Sequence, residues 1–368
     1  MKVLISRKDL RDTASGVPKK VLQECQFFSS LGFKSYAIAE TMNAPMVEEF
    51  NGIPVKTLRW PISGHFRRRF YQMQVDRWIK KHRPKLVIGH GDIFHQDILF
   101  IHNCVHLAHE LIEGKPLPNN HEVGLIHEEI FNKGSFKLLI CNSQMMKNDL
   151  VKRFGVDENK AVVIYPEVNL SKFKVDNPSR VRQEWREKFN FKNDDFVIGL
   201  VTSGNFKKRN LGLLIKSFIE FRKTHPKAKL FIAGGNIDQK YKELAPSEGV
   251  VFAPPIIDVK NYYYLLDVFV LPAHIEEFGR SVLEAMYCGV PVITGRHVGA
   301  SEILEDEGRD FILEELSEKH LVDLLSQLVD LNTRERVSLR NKQTAEKYSS
   351  DKQNNVFGDT LKKAGFLV

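Results

Sequence analysis

The sequence predicts an α/β protein built from two doubly wound, Rossmann-like domains. Short apolar runs of strand length alternate with helix-period segments, and this alternation starts twice. A charged, proline-punctuated stretch, Pro166–Pro178, separates the two series. Strands that alternate with helices form parallel sheets covered on both faces, because each crossover must return over the sheet. At 368 residues the chain is also too long for one ordinary core. The expected domains are residues 1–175 and 176–350, with a helix-like tail at 351–368 folding back on the first. Ligands of such sheets lie beyond the carboxyl ends of the strands, so the two loop edges are expected to face a central cleft.

Each element has its own signal. Lys2–Ser6 reads as a strand, residues 12–18 as a turn, and Val21–Leu31 as a helix ended by Gly32. Strands follow at Ser35–Ala39, Leu86–Gly89, Leu99–His102 and Leu138–Asn142. A helix at Gln144–Phe154 stops at Gly155, and Val162–Ile164 closes the half. The second series opens with strand Phe196–Thr202, helix Leu211–His225 and strand Lys229–Ala233. Strands Val250–Phe252, Val268–Leu271 and Val290–Ile293 complete it, with helix Ser281–Cys288 between the last two.

Composition narrows the class. No run approaches the ~20 apolar residues that cross a bilayer, and the N-terminus lacks a signal-peptide core. Cys25, Cys104, Cys141 and Cys288 are scattered and form no CxxC pair, which predicts reduced thiols in a cytoplasmic protein without a zinc site. A net charge of +8 favours anionic company: nucleic acid, an anionic membrane face or phosphorylated substrates. The densest basic run, Arg67, Arg68 and Arg69, stands among Phe66, Phe70, Tyr71 and Trp78. It reads either as a solvated helix face or as a patch for an anionic membrane surface or acceptor. No nucleic-acid module frames it, so no nucleic-acid partner is expected.

The segment Leu271–Thr294 carries the chemistry. It is a strand, a loop bearing Glu276 and Glu277, a small turn at Gly279, and a helix starting near Arg280 and Ser281. Free amides at a helix N-terminus, a neighbouring Arg and a close-approach Gly make a diphosphate site. Glu276 and Glu284 are separated by seven residues and suit hydroxyl recognition; an acidic cluster complementing the helix dipole is the other reading.

The pattern P-x-x-x-E-x-F-G-x-x-x-L-E-A-M-x-x-G-x-P-V-I resembles the donor-site signature of retaining glycosyltransferases of the B fold (GT-B), family four. Gly299–Ile303 resembles the continuation of that signature, and Cys141–Tyr165 the family's approach to its interdomain linker. The resemblance implies that Glu276 binds donor-sugar hydroxyls and Glu284 the ribose. The backbone at Phe278, Gly279, Arg280, Ser281 and Val282 would hold the diphosphate. It also implies a cation site at Ser203–Asn210, where Arg209 takes the place of the family's Lys and Lys208 lies beside it. Asn205 stands where the family has Arg, with Lys207 and Lys208 as neighbouring replacements. Thr13–Val17, with Gly16, is similar to the family's glycine loop, alternatively an ordinary tight turn. Leu99–Asn103 looks like the segment whose His, here His102, faces the donor sugar. His90, His95, His106 and His109 are left as core or cleft residues.

Together these resemblances imply an enzyme: a retaining hexosyltransferase using a nucleotide sugar, with no metal or other cofactor expected. A weaker likeness of His121–Ser143 and Ser203–Arg209 to bacterial lipopolysaccharide core glucosyltransferases implies UDP-glucose as donor. The implied acceptor is a lipopolysaccharide-core or related envelope glycan or glycolipid, reached at the inner membrane face. Other donors (GDP-mannose, ADP-heptose), capsule or exopolysaccharide acceptors, and a non-catalytic binding scaffold are the alternatives.

Overall fold

The computed structural model describes residues 1–12, 16–61 and 64–367. The chain divides into two compact units, residues 1–164 with 354–368, and residues 165–353. The division lies N-terminal of the expected 175/176 join, and local bonds explain why. Val168 N–H donates to the Tyr348 carbonyl at 2.9 Å, Tyr165 Oη to Glu302 at 3.1 Å, and Arg280 to the Glu167 carbonyl at 2.9 Å. Residues 165–175 are therefore anchored in the second unit.

Unit 1 holds a seven-stranded, all-parallel sheet. Its strands are β1 (Lys2–Ser6), β2 (Lys34–Ala39), β3 (Gly52–Lys56), β4 (Leu86–Gly89), β5 (Ile98–Phe100), β6 (Leu138–Cys141) and β7 (Ala161–Val163). Their spatial order is β3-β2-β1-β4-β5-β6-β7. Order reverses between β1 and β4, so the crevice at their carboxyl ends is the unit's natural ligand position. β1, β4 and β6 are buried along nearly their whole length because both faces are covered. Helices α1 (Gly16–Ser30), α2 (His65–His82) and α3 (Gln144–Phe154) belong to this unit. α3 matches its predicted bounds: Ser143 accepts from the Met146 N–H at its start, and Gly155 closes it in the left-handed region.

Unit 2 repeats the plan with six parallel strands. These are β8 (Phe196–Val201), β9 (Ala228–Ala233), β10 (Val250–Ala253), β11 (Val268–Leu271), β12 (Val292–Gly295) and β13 (Ile312–Leu313), in the order β10-β9-β8-β11-β12-β13. The reversal lies between β8 and β11. Helices α4 (Leu211–Arg222) and α5 (Arg280–Tyr287) follow β8 and β11. A core of fully buried Ile198, Leu214, Phe218, Phe231, Phe269 and Leu283 fixes both helices against the sheet.

Predicted strand ends hold to within one residue except in two strands. β12 begins after Pro291, which has no N–H to give a ladder, in place of Val290–Ile293. β5 ends at Phe100, so His102 lies beyond the strand in the loop at its carboxyl end. The last helix, α6 (Ser350–Lys363), brings Phe357 into the unit 1 core, 5.2 Å from Phe27 between ring centres.

Candidate active site

The two loops at the unit 2 reversal are those following β8 and β11. The first turns through Gly204 and Asn205, and the φ of Asn205 is 53°. Asn tolerates this left-handed backbone and can cap the turn it makes. Here its side chain accepts from the Lys208 N–H at 3.2 Å. That turn is a local reason for Asn at the position where the family signature has Arg.

The turn delivers two cations to two carboxylates of the second loop. Lys208 Nζ donates to Glu277 at 2.6 Å, and Arg209 Nη2 lies 3.2 Å from Glu276. Arg209 is also held by the Gly204 carbonyl, and the His274 N–H donates to the Lys208 carbonyl at 3.0 Å. Burial pushes the Glu276 carboxyl above its ordinary value; Arg209 and Lys208 oppose that rise and Glu277 adds to it. A desolvated carboxylate of this kind stays ionised most readily beside a cation, so Arg209 and Glu276 act as one electrostatic unit. Glu277 is more buried than Glu276, yet sequence alone assigned it no role; its signal is the doubled acid opposite a doubled base.

Backbone bonds hold the Glu276–Gly279 loop. Glu276 N–H donates to the His297 carbonyl at 3.0 Å, and Ala300 N–H to the Phe278 carbonyl at 2.7 Å. Phe278 and Val282 are buried, so a ligand there meets backbone and not these side chains. Gly279 precedes α5 at φ 89°, and no side chain among the described residues caps the helix. Of the first-turn amides of α5, that of Val282 turns back to the Gly279 carbonyl at 2.9 Å, and those of Arg280 and Ser281 have the arrangement that receives an anion.

Other predicted residues have defined partners. Glu284 accepts from Tyr263 Oη at 2.8 Å, and burial together with Glu284 holds that phenol well above its usual range. Arg280 is tied to Glu167, and Ser281 is half-buried in the first turn of α5.

In unit 1, Gly16 is the first residue of α1; Thr13, Ala14 and Ser15 lie outside the described residues. His102 is half-buried, and its Nε2 lies 2.9 Å from His90 Nδ1. Burial, with His90, Arg7 and Lys20 nearby, holds the His102 imidazole well below its usual range, so it is neutral. Sequence alone gives His90 no part in the site. Its place at the end of β4, beside the end of β5, puts the two rings together.

The Arg67–Arg69 run does not form one exposed patch. Arg67 donates through Nε and Nη2 to the buried Glu40 at 2.8 and 2.6 Å, and Arg68 to the Gly91 carbonyl at 3.1 Å. Of the three, only Arg69 is an exposed residue, 3.3 Å from Glu129. Alternate faces of α2 explain this, since consecutive helix residues point about 100° apart. No helix among the described residues is long and apolar enough to cross a membrane. Nor do these residues gather three or more His, Cys, Asp or Glu side chains that could hold a metal.

Known proteins share this fold. Residues 14–172 match the family model described as Glycosyltransferase Family 4, and residues 181–346 that described as Glycosyl transferases group 1. Over 224 residues the chain is 29% identical to the capsular polysaccharide biosynthesis glycosyltransferase CapM of Staphylococcus aureus, covering 58% of each. The chain spans about half the length of the curated relatives it matches. Among solved structures, WaaG, a glycosyltransferase involved in lipopolysaccharide biosynthesis, superposes with a TM-score of 0.79. The identity is 17%, over 97% of this chain and 99% of WaaG. HepE of Anabaena, solved with UDP and glucose, gives 0.76 at 16% identity over 99% of this chain and 100% of HepE. These likenesses establish the fold. With both halves matched by glycosyltransferase models on that shared frame, the chain belongs to the GT-B glycosyltransferases of group 1 and family 4.

Proposed function

We propose that the protein is a retaining hexosyltransferase that moves glucose from UDP-glucose to a lipopolysaccharide-core or related envelope glycan. The observation that carries this reading is the charge arrangement at the β8–β11 reversal. Two cations, Lys208 and Arg209, and a helix N-terminus without a side-chain cap stand beside a half-buried carboxylate, Glu276.

In this reading the α5 amides and Arg209 stabilise the charge that grows on the departing diphosphate, where preorganised donors act most strongly. Glu276 accepts hydrogen bonds from donor-sugar hydroxyls, and Glu284 binds the ribose while Tyr263 orients it. Entry of a diphosphate gives Arg209 a second anionic partner, so it bridges leaving group and Glu276. The family resemblance gives His102 the donor sugar as its partner, which it meets as a neutral ring. Retention of configuration rests on the same resemblance, and so does the absence of a metal requirement.

UDP-glucose as donor draws support from HepE, solved with UDP-glucose, and the envelope acceptor from WaaG's part in lipopolysaccharide biosynthesis. CapM favours a second reading in which the acceptor belongs to a capsular polysaccharide. The inward engagement of Arg67 and Arg68 leaves Arg69 as that run's contribution to any anionic membrane contact.

A thermal-shift panel of sugar nucleotides tests the donor, because a ligand bound to the folded state raises Tm by mass action. UDP-glucose is expected to raise Tm most. Glu276→Ala is expected to abolish transfer to envelope glycan while the protein stays folded. Full turnover in that variant contradicts the assignment.

A further inference from the structure

A buried carboxylate stands behind His102. Glu24, on α1, and His90, after β4, are each 1% exposed. Glu24 Oε2 lies 2.9 Å from His90 Nε2, and His90 Nδ1 lies 2.9 Å from His102 Nε2. The two imidazoles are parallel to within 3°, and His90 stacks on Phe100 at 4.9 Å. We propose that Glu24, acting through His90, is a positioning residue that fixes the ring orientation and tautomer of His102. The proposal rests on the transferase reading for its catalytic consequence, though not for its geometry.

The direction of the chain of bonds comes from charge and donor counting. Each contact needs one proton between its two heavy atoms, so the state of the Glu24–His90 bond dictates the state of the next. An ionised Glu24 beside a neutral His90 would leave a net negative charge on the buried pair, with Oε1 buried and lacking a hydrogen-bond partner among the described residues. That is costly, whereas a neutral pair is not.

A neutral pair is either carboxylate with imidazolium or carboxylic acid with imidazole. Both put a proton on His90 Nδ1, which then donates to His102 Nε2. His102 is itself neutral, and the nearby Arg7 and Lys20 oppose a further positive charge there. Its single proton therefore sits on Nδ1. His102 presents an N–H donor to the substrate side, suited to a sugar hydroxyl or ring oxygen and unable to act as a base through that nitrogen.

The test reads the tautomer directly. Long-range 15N–1H spectra of histidine-labelled protein, without donor, are expected to show His102 protonated at Nδ1. An Nε2-protonated His102 in the unaltered protein overturns the proposal. Glu24→Leu removes the proton link at similar volume. It is expected to shift the tautomer toward Nε2–H and to lower kcat roughly 10- to 100-fold with little change in donor KM. Glu24→Gln, whose amide can still donate to His90 Nε2, is expected to restore the tautomer and most of the lost kcat. Unchanged tautomer and kcat in Glu24→Leu refute the relay. The spectra need no substrate, so they judge Glu24 separately from the transferase reading, and the unaltered protein decides the question even if Glu24→Leu does not fold.

Discussion

Glu276 and His127 show how burial sets the chemistry of single residues here. At Glu276, burial raises the carboxyl and two cations resist, which leaves a group that answers to small changes in its surroundings. His127, 4% exposed, packs among Phe131, Phe154 and His106, and burial pushes it down to about 4. In the unfolded chain it titrates near 6.5, so between those values the unfolded state binds more protons. Stability then rises with pH from about 4 to 6.5, by up to ~3 kcal/mol from this residue. Urea unfolding at pH 5 and pH 7.5 is expected to show a smaller difference in His127→Gln than in the parent. Residues of this sort are legible in the sequence only as types. Glu276, Glu284 and His102 can be picked out by spacing and resemblance, but Glu24 and His90 have no local pattern, because their partners are distant in the chain.

Among the elements, α5 is the one whose start decides the site. Gly279 holds φ at 89°, and an added Cβ would meet Val298 Cγ1 at 3.0 Å and Leu271 Cδ2 at 3.2 Å. Gly279→Ala therefore carries both a left-handed backbone cost of about 1–2 kcal/mol and a steric displacement of the turn. It is expected to weaken UDP binding by calorimetry more than it lowers Tm, since the amides move with the turn. Equal UDP affinity would show that the α5 N-terminus is not the anion site. Element signals were strongest where caps and period agreed, as at α3, and at β1, whose bounds match the prediction. They failed at β3, where Pro54 interrupts the run. An edge position explains its tolerance, because such a strand pairs on one side alone.

Across the whole chain, the last helix is bound into the first unit by aromatic packing. Phe357 is 1% exposed and lies 5.2 Å from Phe27, 6.1 Å from Phe28 and 6.1 Å from Phe100. Phe357→Ala is expected to cost about 3–5 kcal/mol in urea unfolding, the usual loss for a large core aromatic. Because Phe100 also supports His90, the same change is expected to loosen the ring pair that ends at His102. A loss below about 1 kcal/mol would mean that the tail contributes little to the core.

By itself, the sequence determined the α/β class, the two series of strands and the family. All of these depend on local period, on glycine and proline placement, and on a contiguous signature around α5. Only the tertiary structure decided how the charges are spent. Parallel strand order brings loops from β8 and β11, and from β4 and β5, side by side. Arg67 and Arg68 turn inward, Lys208 meets Glu277, and Glu24 reaches His90. Pairings of this range arise from topology and burial, which composition and spacing do not encode.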